Sequence, residues 1–194
     1  MGTETFETIP VATTSPIGIS FSGTVGSITA TISGPGTTVL GSPRSGRFAT
    51  SGSLYVAGNA GGGFQIGFSA PISAFGFYAT DIGDFGGQLS LIMTPSGGGP
   101  NVVLQPAHSL GSGGSTNGRP LFFGFYDTTT SYSSILFGNS STGDVFGFDD
   151  MTIGDRDQVT PDPSGVIPLP VPILLLGSGI MLLGGLGFAR RRAS

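Results

Sequence analysis

The sequence predicts an all-β domain, a jelly-roll-like antiparallel sandwich, and three observations predict it. Short runs in which apolar residues alternate with polar residues or glycine recur through residues 5–154. Clusters of Gly, Ser, Pro, Asn and Asp separate those runs, as turns between strands require. No window ahead of the C-terminal tail carries a convincing apolar repeat of helical period. Many short strands with turn signals between them pack as a sandwich or jelly roll, and the stretch is long enough for one domain with its own core.

In chain order, strands are expected at 17–21, 27–32, 53–57, 64–68, 75–80, 88–94, 101–104, 121–126, 134–137 and 145–153. The clearest alternation sets Phe64, Ile66 and Phe68 against Gln65 and Gly67. One word occurs three times, as Phe75-Gly76-Phe77, Phe123-Gly124-Phe125 and Phe146-Gly147-Phe148. In a strand its two rings share one face and its glycine opens the other, so each copy offers paired aromatic burial where a sheet can curve. Tyr78 and Tyr126 each follow a copy directly and should point away from the phenylalanine face, as candidates for an exposed contact surface. After the third copy the apolar phase slips, from Phe146 and Phe148 to Met151 and Ile153. A slip of one residue within a strand is what a β-bulge makes, which places a bulge at Asp149 and Asp150.

Asp81 and Asp84 fall in the loop after the first copy, where they could form a second cation or ligand site or a turn that bonds its own backbone. Composition argues against catalysis and against nucleic acid. There is no cysteine, and so no thiol nucleophile; the one histidine, His108, sits in a loop, and no glutamate follows Glu7. A non-enzymatic role is expected. All seven basic residues are arginine, and taking away the three of the C-terminal triplet leaves four against eleven acids. An acidic domain repels nucleic acid, whereas calcium and neutral glycans suit it.

The tail is read in three blocks: Ile167-Pro168-Leu169-Pro170-Val171, an uncharged apolar run, and Arg190-Arg191-Arg192. Nineteen residues, 171–189, rise as a helix through roughly 28 Å, close to the ~30 Å of a bilayer's hydrocarbon core. The arginines place the C-terminus on the cytoplasmic side and the domain outside. Prolines and acids in residues 155–166 read as a semi-extended spacer between the domain at 1–154 and the tail at 167–194. The first residues carry no basic and apolar leader, so the natural start is expected upstream.

This order of blocks resembles the PEP-CTERM sorting signal of Gram-negative bacteria in its Val-Pro-Leu-Pro-Ala-like variant, with Ile167 and Val171 as departures. The resemblance implies that an exosortase, a membrane transpeptidase, reads and removes the tail. It also implies an inner-membrane intermediate with the domain in the periplasm, then delivery to the cell surface or the exopolysaccharide matrix. The domain resembles the glycine-rich β domains found ahead of such tails, and also jelly-roll glycan-binding modules whose paired first and last strands each supply an acid to a structural calcium. That likeness implies Glu7, Asp149 and Asp150 as a calcium site. The other reading of these acids is that they keep strand edges soluble. Two functions follow as expectations: a surface or biofilm-matrix protein, or a calcium-dependent carbohydrate-binding module.

Overall fold

A computed structural model describes residues 1–83, 87–106 and 118–159. The sorting motif Ile167–Val171, the span at 171–189, Arg190, Arg191, Arg192, Asp84 and His108 lie outside the described residues. No helix among the described residues is long and apolar enough to cross a membrane.

The described residues form twelve strands: β1 (Gly2–Glu4), β2 (Ile17–Ser22), β3 (Ser27–Ser33), β4 (Thr38–Leu40), β5 (Tyr55–Asn59), β6 (Gln65–Ile72), β7 (Ala74–Thr80), β8 (Leu89–Pro95), β9 (Val102–Leu104), β10 (Pro120–Tyr126), β11 (Tyr132–Asn139) and β12 (Val145–Gly154). A front sheet runs β10-β7-β12-β5-β4 with β1 also on β12, and a back sheet runs β2-β3-β6-β11-β8-β9. Every pairing is antiparallel, and the chain is an all-β sandwich of two six-stranded sheets.

All ten expected strands are present, with ends shifted by a few residues. β1 and β4 were not anticipated, because three residues are too few for alternation to register. The jelly-roll likeness, which implies Glu7 on the first strand, is corrected at that residue: the strand ends at Glu4, and Phe6 takes a left-handed conformation with φ 63°. That turn drives the Phe6 ring into the core and leaves Glu7 at the surface. Residues 155–159, read as the first part of the spacer, are described. Asp155 and Gln158 bond each other's backbone N–H at 3.1 and 3.0 Å, a reciprocal cap that starts the helical turn α1 (Arg156–Val159).

The repeated word explains the core. Phe75, Phe77, Phe123, Phe146 and Phe148 all turn inward and are at most 5% exposed. All but Phe123 meet Phe137 of the back sheet, whose ring lies 5.2 Å from Phe77 and 5.9 Å from Phe148. Phe77 also stacks on Phe148 at 5.0 Å and on Phe123 at 5.4 Å. Each buried ring stabilises the fold by roughly 1.5–3 kcal/mol relative to exposure. Two copies of the word pair with one another in register, Phe75 with Phe125, Gly76 with Gly124 and Phe77 with Phe123. Glycine thus stands opposite glycine on the outer face of the front sheet.

The predicted bulge is present. Between the pairs Asp149–Tyr78 and Thr152–Gly76, β12 advances three residues while β7 advances two, and Asp150 takes φ 50°. On its other side β12 pairs with β5 through Phe148 and with β1 from Met151, so the bulge fills the gap between two partners.

Candidate functional site: an aromatic face beside a clamped loop

The outer face of the front sheet divides into two halves. Over β5 and β12 it is roofed by the segment 41–54 that joins β4 to β5. Tyr55 points outward from β5 yet is fully buried, because the segment crosses it; the hydroxyl donates to the Ser42 carbonyl at 3.2 Å. Further along, the Phe48 N–H donates to Thr80 Oγ1 at 3.2 Å, and that hydroxyl donates to the Phe48 carbonyl at 3.1 Å. Gly147 permits this approach. A Cβ there would collide with Thr80 Oγ1 and stand 3.2 Å from the Tyr55 ring.

Three acids fasten the roof. Asp149, fully buried at the bulge, accepts from the N–H of Thr50 at 2.7 Å and of Ser51 at 3.1 Å on one oxygen, and from the Asp150 N–H at 2.8 Å on the other. Asp150 accepts from the hydroxyls of Thr50 at 2.9 Å and Ser51 at 2.5 Å. Glu7 accepts from the N–H of Ser53 at 2.8 Å and of Leu54 at 2.6 Å, and from the Ser53 hydroxyl at 3.0 Å. Burial pushes the Asp149 carboxyl above the usual range despite these donors. The exposed Glu7 goes the other way, held below its usual value first by the Ser53 and Leu54 N–H groups.

The sequence therefore brings Glu7, Asp149 and Asp150 to one loop, though not to one point. Carboxylate and hydroxyl oxygens suit calcium in kind. Their arrangement does not: each carboxylate faces loop donors, and among the described residues no three acids or histidines lie close enough to share a metal.

Over β7 and β10 the face is open and aromatic. Phe122 is 61% exposed and Tyr126 74%, with Tyr78 at 39% beside Asp149 on the neighbouring strand. The Phe122 ring lies across the paired glycines, 3.2 Å from where a Gly76 Cβ would stand and 3.1 Å from that of Gly124. Tyr78 leans on it, ring centroids 5.2 Å apart. Phe122 and Tyr126 stand four residues apart along β10, about 13 Å, and a shallow groove with Gly76, Gly124, Thr152 and Met1 lies between them. A second hollow, walled by the roof at Phe48 and Thr50, opens against Tyr78, Pro120 and Asp150.

Tyr78 and Tyr126 occupy the outer face as read from the sequence. Phe122 was missed, although its phase is legible: it is out of step with Phe123 and Phe125 and must face the other way. Asp81 is 4% exposed and accepts from the Gly118 N–H at 3.1 Å. The neighbouring Gly83 N–H donates to Asp144 at 2.7 Å. Asp81 is thus a buried cross-link between loops.

No family model and no curated relative matches the sequence. Among solved structures, the K2 cleaved adhesin domain of Lys-gingipain is 17% identical with a TM-score of 0.46, over 78% of this chain and 96% of that one. A DUF4465 family protein from Bacteroides ovatus is 13% identical with a TM-score of 0.40, over 79% and 99%. TmCBM61, solved in complex with β-1,4-galactotriose, is 15% identical with a TM-score of 0.36, over 64% and 86%. Likenesses this distant identify neither a ligand nor an activity for this chain.

Proposed function

We propose that this is a non-enzymatic glycan-binding domain of the bacterial cell surface or exopolysaccharide matrix, and that the open aromatic half of the front sheet holds the sugar. The observation that carries the reading is the seating of Phe122. A ring that large, well exposed and laid over two facing glycines, presents a flat platform whose position is set before any ligand arrives. Pyranose rings offer an apolar C–H face that packs on such a platform while their hydroxyls stay in water. Tyr78 extends the platform sideways and Tyr126 bounds the groove at its far end, leaving room for a short oligosaccharide.

The test is a glycan array probed with the wild-type chain and with Phe122→Ala. Saturable binding to at least one glycan is expected, weakened about tenfold or more by the substitution, equivalent to ~1.4 kcal/mol. Thermal stability should move little, because the ring lies on the surface. Absence of saturable binding across the array would remove the reading.

Delivery belongs to the same proposal. The Ile167–Val171 motif, the apolar run and Arg190–Arg192 would carry the domain through the inner membrane to an exosortase. An intact mass ending near Pro168 to Val171, on protein recovered from the outer surface, is the expected result. A full-length mass retained in the inner membrane would make the tail a permanent anchor. Calcium, expected at Glu7, Asp149 and Asp150, would have to be held by the adjacent Asp149 and Asp150 or by Glu7 separately, with hydroxyl and water oxygens completing its shell. A rise in melting temperature with calcium, reversed by chelator, would establish it.

A further inference from the structure

We infer that the glycan held on this face is acidic, bearing carboxylate groups, and that a rim of three arginines reads that charge. The inference rests on the glycan-binding reading above and reverses an expectation drawn from net charge alone. Only four arginines precede the C-terminal triplet, against eleven acids. Three of the four, Arg44, Arg47 and Arg119, are gathered at one end of the aromatic face.

Their placement follows from the backbone. Arg44 and Arg47 close a tight hairpin at the tip of the roof, each N–H donating to the other's carbonyl at 2.9 and 3.0 Å, with Ser45 and Gly46 at φ 49° and 85°. Arg47 lies on the outer face of the front sheet, its Cβ 3.5 Å from where a Gly147 Cβ would stand. Burial pushes the Tyr55 phenol up, and the positive charges of Arg47 and Arg44 oppose that rise. Gly118 lies against the same hairpin, with the Gly46 carbonyl 3.9 Å from its would-be Cβ, and Arg119 follows it directly. The next residue, Pro120, pairs with Thr80, two residues from the Tyr78–Phe122 pair and therefore about 7 Å from the platform along the strand. An arginine side chain spans that distance. Arg44 and Arg119 are exposed.

The acids nearby keep their charge, but their oxygens are engaged by neutral donors and do not occupy the guanidiniums. Asp81, beside Arg119, is buried with an oxygen on the Gly118 N–H, and Asp150, on the hollow's wall, turns its oxygens to the Thr50 and Ser51 hydroxyls. Guanidinium groups pair with carboxylates through two parallel hydrogen bonds, a geometry that neutral sugars cannot return. Stacking rings next to a guanidinium rim thus fit a uronic-acid chain, with sugar faces on Phe122 and carboxylates at the arginines. The remaining arginine, Arg156, donates to the Thr129 carbonyl in α1, beyond the opposite end of β7.

The experiment measures binding of the full chain, kept in nonionic detergent, to alginate, polygalacturonate and hyaluronan and to the carboxyl-reduced form of each. At least one acidic polymer should bind, and binding should fall steeply as salt rises from 0.05 to 0.5 M, taking the Debye length from about 14 to about 4 Å. Carboxyl reduction, and separately the double substitution Arg44→Gln with Arg119→Gln, should each weaken it about tenfold, while Phe122→Ala should weaken acidic and reduced forms alike. If a reduced polymer binds as tightly as its acidic parent, or the double substitution changes nothing, the arginine rim is overturned while sensitivity to Phe122 preserves the glycan face. Binding that follows the arginines and ignores Phe122 would overturn the joined groove. No binding to any form would overturn the acidic-glycan inference, while the glycan array decides the glycan face by itself.

Discussion

The roofed and open halves of the front sheet's outer face are built from the same word and end differently. In both, a glycine of Phe-Gly-Phe leaves the outer face bare while its phenylalanines fill the core. Over Gly147 the bare surface is taken by the protein itself: Tyr55, Thr80 and Arg47 close onto it under the 41–54 roof. Over Gly76 and Gly124 it is taken by a single ring, Phe122, which remains in water. A flat place on a sheet becomes either an internal seam or a platform, and what decides is whether a loop with fixed anchors reaches it. Asp149, Asp150 and Glu7 supply the anchors on one side only.

The largest effect comes from removing what the halves share. Phe148→Ala takes out a fully buried ring that touches Phe6, Phe64, Phe77 and Phe137. A loss of about 3–5 kcal/mol is expected in urea unfolding, and any glycan binding should disappear with the fold.

Substituting the glycines then separates the halves. Gly147→Val forces a side chain into Thr80 and Tyr55, for a loss of about 1–3 kcal/mol. Gly124→Ala presses on the exposed Phe122 ring at 3.1 Å and more lightly on the Phe75 carbonyl oxygen at 3.3 Å, so denaturation should change by about 1 kcal/mol or less as the ring is displaced. The ring would no longer lie flat, and glycan affinity should fall even so. Equal losses of stability at the two positions would break the comparison.

Opening the roof from its anchor is a related test. Asp149→Ala strands the N–H groups of Thr50, Ser51 and Asp150, which should lower stability by about 1–3 kcal/mol. Amide exchange should accelerate at Thr50 and Ser51 while the β10 amides bonded to β7 stay protected. Acceleration at both would mean that the halves unfold together.

The smallest effect is a difference of sign with pH. Glu7 is held below its usual value in the folded chain, so its contribution is present above the ordinary carboxylate value and is lost as pH falls through the lowered one. Asp149 is raised, so its contribution is fullest below the ordinary value and is lost as pH climbs through the raised one. Glu7→Gln should therefore flatten the acid limb of a melting-temperature profile. A steeper acid limb in that variant would show that the two anchors had been assigned the wrong way round.

Much of this was legible in the chain. The slip from Phe148 to Met151 announced the bulge, because side chains alternate strictly and a change of phase needs an extra residue. The outward position of Tyr78 followed from the same rule, and so did that of Phe122 once three successive phenylalanines are read as two faces. Alternation is a local property, and sequence carries it in full. The paired glycines, the roof over Tyr55, the turn of all three acids toward that roof and the gathering of Arg44, Arg47 and Arg119 are of another kind. Each joins residues tens of positions apart, brought together by strand order and by hydrogen bonds from a loop without periodicity. Composition gave the domain an acidic balance, and only the tertiary structure could bury or engage the nearby carboxylates and leave a basic rim beside the rings, because net charge adds over the whole chain while a ligand meets one face of it.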